Sequence, residues 1–261
     1  QASNLSELYL TMGDLPQAIQ HARQSVELAD RSGDEVQQMG KRTTLADALH
    51  HGGRVSEAEA LFREAEEMQK QDEPQYPLLY SLRGFQYCDL LLGQGKYKEV
   101  LDRASQTLEW SKALGLSLLT IALDHLSLGR AYLLQATQEG GAGYAQSAAH
   151  LDQAVAGLRQ AGTQHHIPRG LLARAELHRL RRDFNRARRD LDEAMLIATR
   201  GGMRLHQADC HLESARLHLA LGDKAKALQS FTTARAMIAE MGYHRRDPDL
   251  AALEQQLAST P

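Results

Sequence analysis

The sequence has little proline, few aromatic residues and no long apolar run, and each of these shortages excludes a class of protein. Only six of the 261 residues are proline and 5% are aromatic, which excludes a collagen and argues against an all-β fold. The most apolar run, from Leu114 to Leu123, stops at Asp124 and is shorter than the roughly 18 residues that a membrane helix needs. The sequence therefore predicts no membrane span.

The sequence also lacks an excess of charge of one sign. Lysine and arginine number 30 against 33 aspartate and glutamate residues, a formal net charge of −3, whereas a dedicated nucleic-acid-binding domain is usually basic. The two cysteines, Cys88 and Cys210, are too few for a disulfide framework and fit a reducing compartment. No targeting pattern follows Gln1, and a helical pattern already runs from Ser3 to Met12. We interpret the chain as a fragment of a longer protein, with the cytoplasm as its default location.

One sequence motif recurs six times. It consists of a loop glycine or its substitute, an apolar residue two positions later, and then small, large and small residues at fixed spacing. In the second copy these residues are Gly53, Val55, Ala58, Phe62 and Ala65. The first small residue of the copies falls at positions 18, 58, 100, 147, 187 and 227, so the steps are 40, 42, 47, 40 and 40 residues. A period of this length is typical of a solenoid.

Two copies depart from the motif at the loop position. Ala142 begins the fourth copy, which also carries about six extra residues from Gln138 to Gly143. Arg182 begins the fifth copy, where a glycine usually stands, so we expect its turn to differ. A second helical pattern precedes every copy of the motif. The residue at its eighth position is again small: Ser6, Ala46, Cys88, Gly129, Ala175 and Ala215.

Together these positions resemble the tetratricopeptide repeat, in which small residues let the first helix of each pair (helix A) approach the second (helix B) closely. The resemblance spans about residues 2–241. The period of about 40 exceeds the 34 residues usual in that family, so each helix is longer by roughly one turn. The resemblance implies an all-α fold, a right-handed α-solenoid of about six long helix pairs in one domain, with repeats at about 1–32, 33–72, 73–114, 115–162, 163–201 and 202–242.

A thirteenth helix is predicted at about 247–258, after the last pair. It would cover the final apolar face of the solenoid as a capping helix. No such cap is predicted at the other end, where the first helix A is short. This asymmetry also favours a longer native chain.

The resemblance implies where a ligand would bind. In this family the concave surface is lined mainly by helix A and binds protein or peptide ligands. Carrying the family's positions onto this sequence gives a groove lined by Ser3, Glu7, Thr11, Thr43, Asp47, His50, His51, Leu82, Phe85, Asp89, Arg130, Arg169, Glu176, Arg179, Asp209 and Arg216. From these we predict a ligand site of ten residues: Glu7, Asp47, His51, Phe85, Asp89, Arg130, Arg169, Glu176, Arg179 and Arg216. The early members are acidic and the late members basic, so we expect a groove whose polarity orients an extended partner. The carboxylate clamp of chaperone-binding members is not matched.

A narrower resemblance concerns the C-terminal third. The segments 170–178, 202–213 and 242–247 look like the end of large bacterial multidomain proteins, in which a tetratricopeptide array follows a nucleotide-binding domain of the signal-transduction ATPase (STAND) type. This resemblance implies an upstream nucleotide-binding domain in the same chain. It also implies that the array is the ligand-sensing region of a signalling or defence ATPase.

Alternatives to a sensor remain open. A general interaction scaffold or self-assembly module would show the same repeats. Nucleic-acid binding is less favoured and would use the eight arginines of the basic region between Arg169 and Arg189, which lacks interleaved aromatic residues. No nucleophile, general base and orienting acid occur at a spacing that indicates a catalytic site, so we predict no enzyme and no cofactor. His206, Cys210 and His211 are too few to predict a metal site.

Overall fold

The computed structural model describes residues 2–141 and 143–259, without the side chains of Ala2 and Ser3. Ala142 and the Ser3 side chain, both named above, therefore lie outside the described residues. Within this part the chain is all-helical, with no strand. Its α-helices are α1 (Ala2–Met12), α2 (Leu15–Ser32), α3 (Glu35–His51), α4 (Val55–Asp72), α5 (Ser81–Gly93), α6 (Tyr97–Ala113), α7 (Leu118–Gln138), α8 (Tyr144–Ala161), α9 (Ile167–Leu180), α10 (Phe184–Arg200), α11 (Arg204–Ala220), α12 (Lys224–Met241) and α13 (Asp247–Ser259).

The helices form six successive antiparallel pairs, each joined by a short turn, and neighbouring pairs pack in chain order. The odd-numbered helices α1 to α11 are the A helices and the even-numbered helices α2 to α12 are the B helices. The thirteen helices agree in number with the sequence prediction. None of the helices described combines the length and apolar composition needed to cross a membrane.

Small residues bring helix A and helix B of one pair into close contact, as the repeated pattern predicts. A Cβ atom added to Gly129 of α7 would lie 2.7 Å from the Leu151 side chain of α8, so only glycine fits there. Hydroxyl groups at other small positions bond the facing helix: Ser147 Oγ donates to the Gly129 carbonyl at 2.8 Å, and Ser6 Oγ donates to the Ala18 carbonyl at 2.8 Å. Small side chains thus both admit the neighbouring backbone and satisfy its carbonyl groups.

Five of the six turns between helix A and helix B, all but the turn before α8, use a left-handed residue followed by a helix N-cap. Gly13, Gly53 and Gly222 have φ angles of 80°, 77° and 78°. Arg182 has a φ of 62°, so the fifth turn has the same left-handed conformation and our expectation of a different turn is wrong. The next residue, Asp183, accepts a hydrogen bond from the Arg186 amide and caps α10, which helps to hold the strained arginine.

The solenoid returns on itself, because its first repeat packs against its last. Helix α1 contacts α11, and Leu15 is buried in the same apolar cluster as Leu205 and Ile238. A Cβ atom added to Gly13 would lie 2.4 Å from Met241 Sδ, so the two ends meet without a gap. At the C-terminal end Leu253 of α13 is buried in this cluster, as expected of a capping helix.

Candidate ligand-binding cavity

The A helices and the link before α13 enclose a cavity of about 130 Å³ at the centre of the solenoid. The link contains a 3-10 helix, His244–Arg246, and we call residues 243–246 the plug segment. Helices α3, α5, α7, α9 and α11 each contribute at least one lining residue. The cavity is lined by His51, Phe85, Asp89, Arg130, Arg169, Leu172, Ala173, Glu176, His206, Asp209, Leu212, Glu213, Arg216, Tyr243, Arg245 and Arg246.

Seven of the ten residues of the predicted ligand site line this cavity: His51, Phe85, Asp89, Arg130, Arg169, Glu176 and Arg216. Asp209, from the wider set of family positions, lines it as well. The other three lie elsewhere. Glu7 lies in a separate surface depression between α1, α3 and α5, and Asp47 is buried beside His51, with 3.6 Å between Asp47 Oδ1 and His51 Nδ1. Arg179 is turned to Glu213, which its Nε bonds at 2.5 Å.

Asp89 is the most strongly paired carboxylate of the cavity. The Arg245 guanidinium donates to both of its oxygens, at 2.6 and 2.8 Å, and Arg130 donates to Oδ1 at 2.6 Å. Burial alone would raise the pKa of Asp89, but these two arginines hold it well below the usual value. Asp89 is therefore ionised and has its charge neutralised within the protein.

Asp209 bonds two further residues of the plug segment. Arg246 Nε donates to Asp209 Oδ1 at 2.7 Å, and the Tyr243 hydroxyl donates to Oδ2 at 3.2 Å. The Tyr243 ring stacks on the His51 ring, with centroids 5.7 Å apart. These contacts with Asp209 of α11 and His51 of α3 hold the plug segment inside the solenoid.

Glu213 forms a third group of ion pairs. It accepts from Arg179 Nε at 2.5 Å and from Arg216 Nη1 at 3.4 Å, and Arg216 also bonds Asp249 of α13. The cavity thus contains acidic and basic residues together. The expected polarity, acidic early and basic late, is not present here, because acidic side chains of α5 and α11 form ion pairs with arginines of other repeats and of the plug segment.

Arg169 differs from the other arginines of the cavity. Among the described residues no carboxylate lies within 4.0 Å of its guanidinium, and its Nε atom is buried without a hydrogen-bond partner. Its guanidinium lies over the Phe85 ring, 5.4 Å from the centroid. Arg169 therefore brings an uncompensated positive charge into the cavity.

Neutral histidines surround Arg169. Burial, and then the Arg169 charge, lower the pKa of His206 to about 3 and that of His166 to about 2. Burial likewise lowers the pKa of His51. The Nδ1 atoms of His166 and His206 are buried and have no hydrogen-bond partner in the described part of the chain, so these imidazoles have unused hydrogen-bonding capacity.

We did not predict the three plug-segment residues Tyr243, Arg245 and Arg246 as part of the ligand site. They lie in segment 242–247, which carries the narrower resemblance, and in the link before the capping helix. A usable signal was present, since two adjacent arginines and a tyrosine are unusual in a short link that is expected to be exposed. In the basic region, Arg174 bonds Asp190 and Asp152, so part of that region's charge is already paired.

No protein-family model and no curated protein matches the chain. Among solved structures, a Rap protein complexed with Competence and Sporulation Factor is similar over 98% of this chain and 74% of its own, with 14% identity and a TM-score of 0.70. The apo form of RapI is similar over 98% of this chain and 96% of its own, with 15% identity and a TM-score of 0.60. BtubC from P. vanneervenii is similar over 87% and 92%, with 19% identity and a TM-score of 0.55. At these identities the likeness shows the fold, which is a tetratricopeptide-like α-solenoid.

Proposed function

We propose that this chain binds a peptide or an extended protein segment in its central cavity and performs no chemistry on it. The observation that carries the proposal is the convergence of polar side chains from five successive A helices on one cavity. The cavity carboxylates Asp89 and Asp209 are engaged by arginines, so neither is poised to act as a general acid or base. What the cavity offers a ligand is Arg169, the half-exposed carboxylate of Glu176, neutral imidazoles and a few apolar side chains.

The volume of the cavity limits how a ligand enters. Pockets that enclose a whole small ligand usually measure about 300–1,000 Å³. A cavity of about 130 Å³ instead holds one or two side chains. We therefore propose that it receives an anchoring residue of a longer segment whose remaining contacts lie along the A helices. The Rap structure with Competence and Sporulation Factor supports the proposal, because a solenoid of this fold was solved there with a bound factor.

A selection experiment tests this function. Random dodecapeptides displayed on their own mRNA are selected against the immobilised protein and sequenced after each round. Ala173→Phe fills the cavity from α9, whereas Leu228→Phe adds the same ring on an exposed part of α12. We expect convergence on a shared motif whose binding is lost in the first variant and kept in the second, with circular dichroism showing both folded. Failure of the selection to converge, or equal binding by both variants, contradicts the proposal.

A finer proposal comes from the resemblance of segments 170–178, 202–213 and 242–247 to the C-terminal end of large bacterial proteins with a STAND-type domain. We propose that the array is the ligand-sensing region of a multidomain bacterial signalling ATPase. Its test uses the full-length chain, in which a selected peptide is expected to change the rate of nucleotide hydrolysis. An unchanged rate contradicts the sensor role and leaves peptide binding by the array intact.

A further inference from the structure

We infer that the ligand of this cavity carries a carboxylate that Arg169 binds, supplied by an aspartate or glutamate residue of the bound peptide. The inference rests on the proposed function and specifies the residue that would occupy the cavity. It assigns Arg169 a role that the other cavity arginines do not share.

The first argument is the pairing of charges. Every cavity carboxylate from α5 and α11 already bonds at least one arginine: Asp89, Asp209 and Glu213. The arginines Arg130, Arg216, Arg245 and Arg246 are engaged in those pairs. With Glu176 included, the lining residues comprise five arginines and four carboxylates, an excess of one positive charge. A single carboxylate would neutralise that excess.

The second argument is an unused hydrogen-bond donor. Arg169 Nε is buried and has no partner among the described residues, an arrangement that costs about 1–3 kcal/mol where it persists. The Phe85 ring lies 5.4 Å from the guanidinium carbon, and this cation–π contact favours the position of the guanidinium in the cavity. A planar guanidinium held in this way suits bidentate binding of a carboxylate.

The third argument concerns the groups beside Arg169. His206 lines the same cavity, its Nδ1 atom is buried without a partner among residues 2–141 and 143–259, and its ring is neutral. A neutral imidazole has a nitrogen that accepts a hydrogen bond, and a peptide brings backbone N–H groups to it. An acidic residue within a peptide thus satisfies both Arg169 and His206. A fully ionised inorganic anion such as sulfate would supply acceptors only.

The size and charge of the cavity distinguish a carboxylate from a phosphate. A phosphoryl group brings close to two negative charges near neutral pH, which exceeds the excess charge of the lining by one. The second negative charge would find no further unpaired arginine among the lining residues, because Asp89, Asp209 and Glu213 already engage the other four. These surroundings favour a group with one negative charge.

The experiment repeats the dodecapeptide selection on three proteins: the wild type, Arg169→Gln and Arg130→Gln. Both variants remove one positive charge from the cavity, but Arg130→Gln leaves both Asp89 oxygens bonded to Arg245. We expect an aspartate or glutamate at one fixed position of the wild-type motif. The acidic residue is expected to persist with Arg130→Gln and to disappear with Arg169→Gln.

Affinities measured by fluorescence anisotropy make the test quantitative. For a selected peptide we expect Kd to rise about 10- to 100-fold when Arg169 becomes glutamine, the usual effect of losing a charged hydrogen bond. Replacing the acidic peptide residue by its amide should raise Kd by a similar factor. When Arg169→Gln is tested with the amide peptide, the two losses of affinity should not add, because each change removes the same interaction.

Each outcome decides the inference. A converged motif without an acidic residue, or equal affinities of the wild type and Arg169→Gln, overturns it while leaving peptide binding established. Additive losses also overturn it. If Arg169→Gln does not fold, the comparison of acid and amide peptides on the wild type and on Arg169→Lys decides instead. A selection that fails to converge contradicts the proposed function and the inference together.

Discussion

The Arg245 guanidinium donates to both carboxylate oxygens of Asp89, at 2.6 and 2.8 Å, although 156 residues separate them in the chain. Both side chains are nearly buried, with 10% and 5% of their surfaces exposed. The pair joins the third helix pair to the link before α13, and both residues line the cavity. It therefore connects repeats that are far apart along the solenoid, in addition to the contacts between neighbouring repeats.

This pair predicts a large loss of stability in Asp89→Asn. The change leaves Arg245 and Arg130 without their anion in a buried setting, so the free energy of unfolding should fall by about 3 kcal/mol. Urea denaturation followed by circular dichroism at pH 7 measures it. The matched control is Glu254→Gln, which breaks an exposed ion pair with Arg235 and should cost less than about 1 kcal/mol. Equal losses in the two variants would show that the buried pair does not stabilise the closed arrangement.

Contact between the first and last repeats predicts that a change in α2 will affect the C-terminal helices. Leu15→Ala removes a side chain that is 1% exposed and packs in the cluster formed mainly by α11, α12 and α13. We expect a loss of about 2–4 kcal/mol and faster hydrogen exchange of the amides in α11 and α12. In an open solenoid the effect would remain in the first two repeats.

The control for this prediction is Leu126→Ala in α7. Leu126 is fully buried in a different apolar cluster, so the change creates a cavity of similar chemistry away from the contact between the ends. Its faster exchange should centre on α7 and its neighbours. If Leu15→Ala leaves exchange in α11 and α12 at wild-type rates, the two ends of the solenoid are not coupled.

The repeat pattern predicted the helices because close packing of two helices requires small residues at fixed positions, as at Gly129 against Leu151. That requirement is local and is therefore visible in the sequence. The plug segment could not be predicted in the same way, since the contact of Arg245 with Asp89 depends on how far the whole solenoid has curved. Helix position likewise shows which face Arg179 occupies, but not that Glu213 of the next repeat bonds it.

The fifth turn predicts a stabilising substitution, Arg182→Gly. Arg182 has a φ of 62° at a position where other turns have glycine, and its side chain is exposed. A left-handed conformation costs a non-glycine residue about 1–2 kcal/mol, partly offset by the greater freedom of glycine in the unfolded chain. We expect a net gain of about 0.5–1 kcal/mol in urea denaturation. The control Arg181→Gly at the preceding residue, whose φ is −82°, should destabilise instead.

Asp124 predicts a substitution whose effect depends on pH. Its buried carboxylate accepts hydrogen bonds from Thr107 Oγ1 and Ser111 Oγ, both at 2.8 Å, with no ion pair among the described residues. Burial raises the pKa of Asp124 to about 6, although the two hydroxyl groups act to lower it. The folded protein therefore binds more protons at this site than the unfolded chain between about pH 4 and pH 6. The contribution of Asp124 to stability falls as the pH rises through that window.

Asp124→Asn removes the buried charge and keeps groups that bond both hydroxyls. The variant should be about 1–2 kcal/mol more stable than the wild type at pH 7.5 and nearly equal to it at pH 4. Urea denaturation at the two pH values measures the difference, in which the titration of the buried histidines cancels because both proteins contain them. The exposed Asp192→Asn is the control and should show no such change with pH. A variant that is less stable at pH 7.5 would mean that the charged hydrogen bonds to Thr107 and Ser111 outweigh the cost of burying the carboxylate.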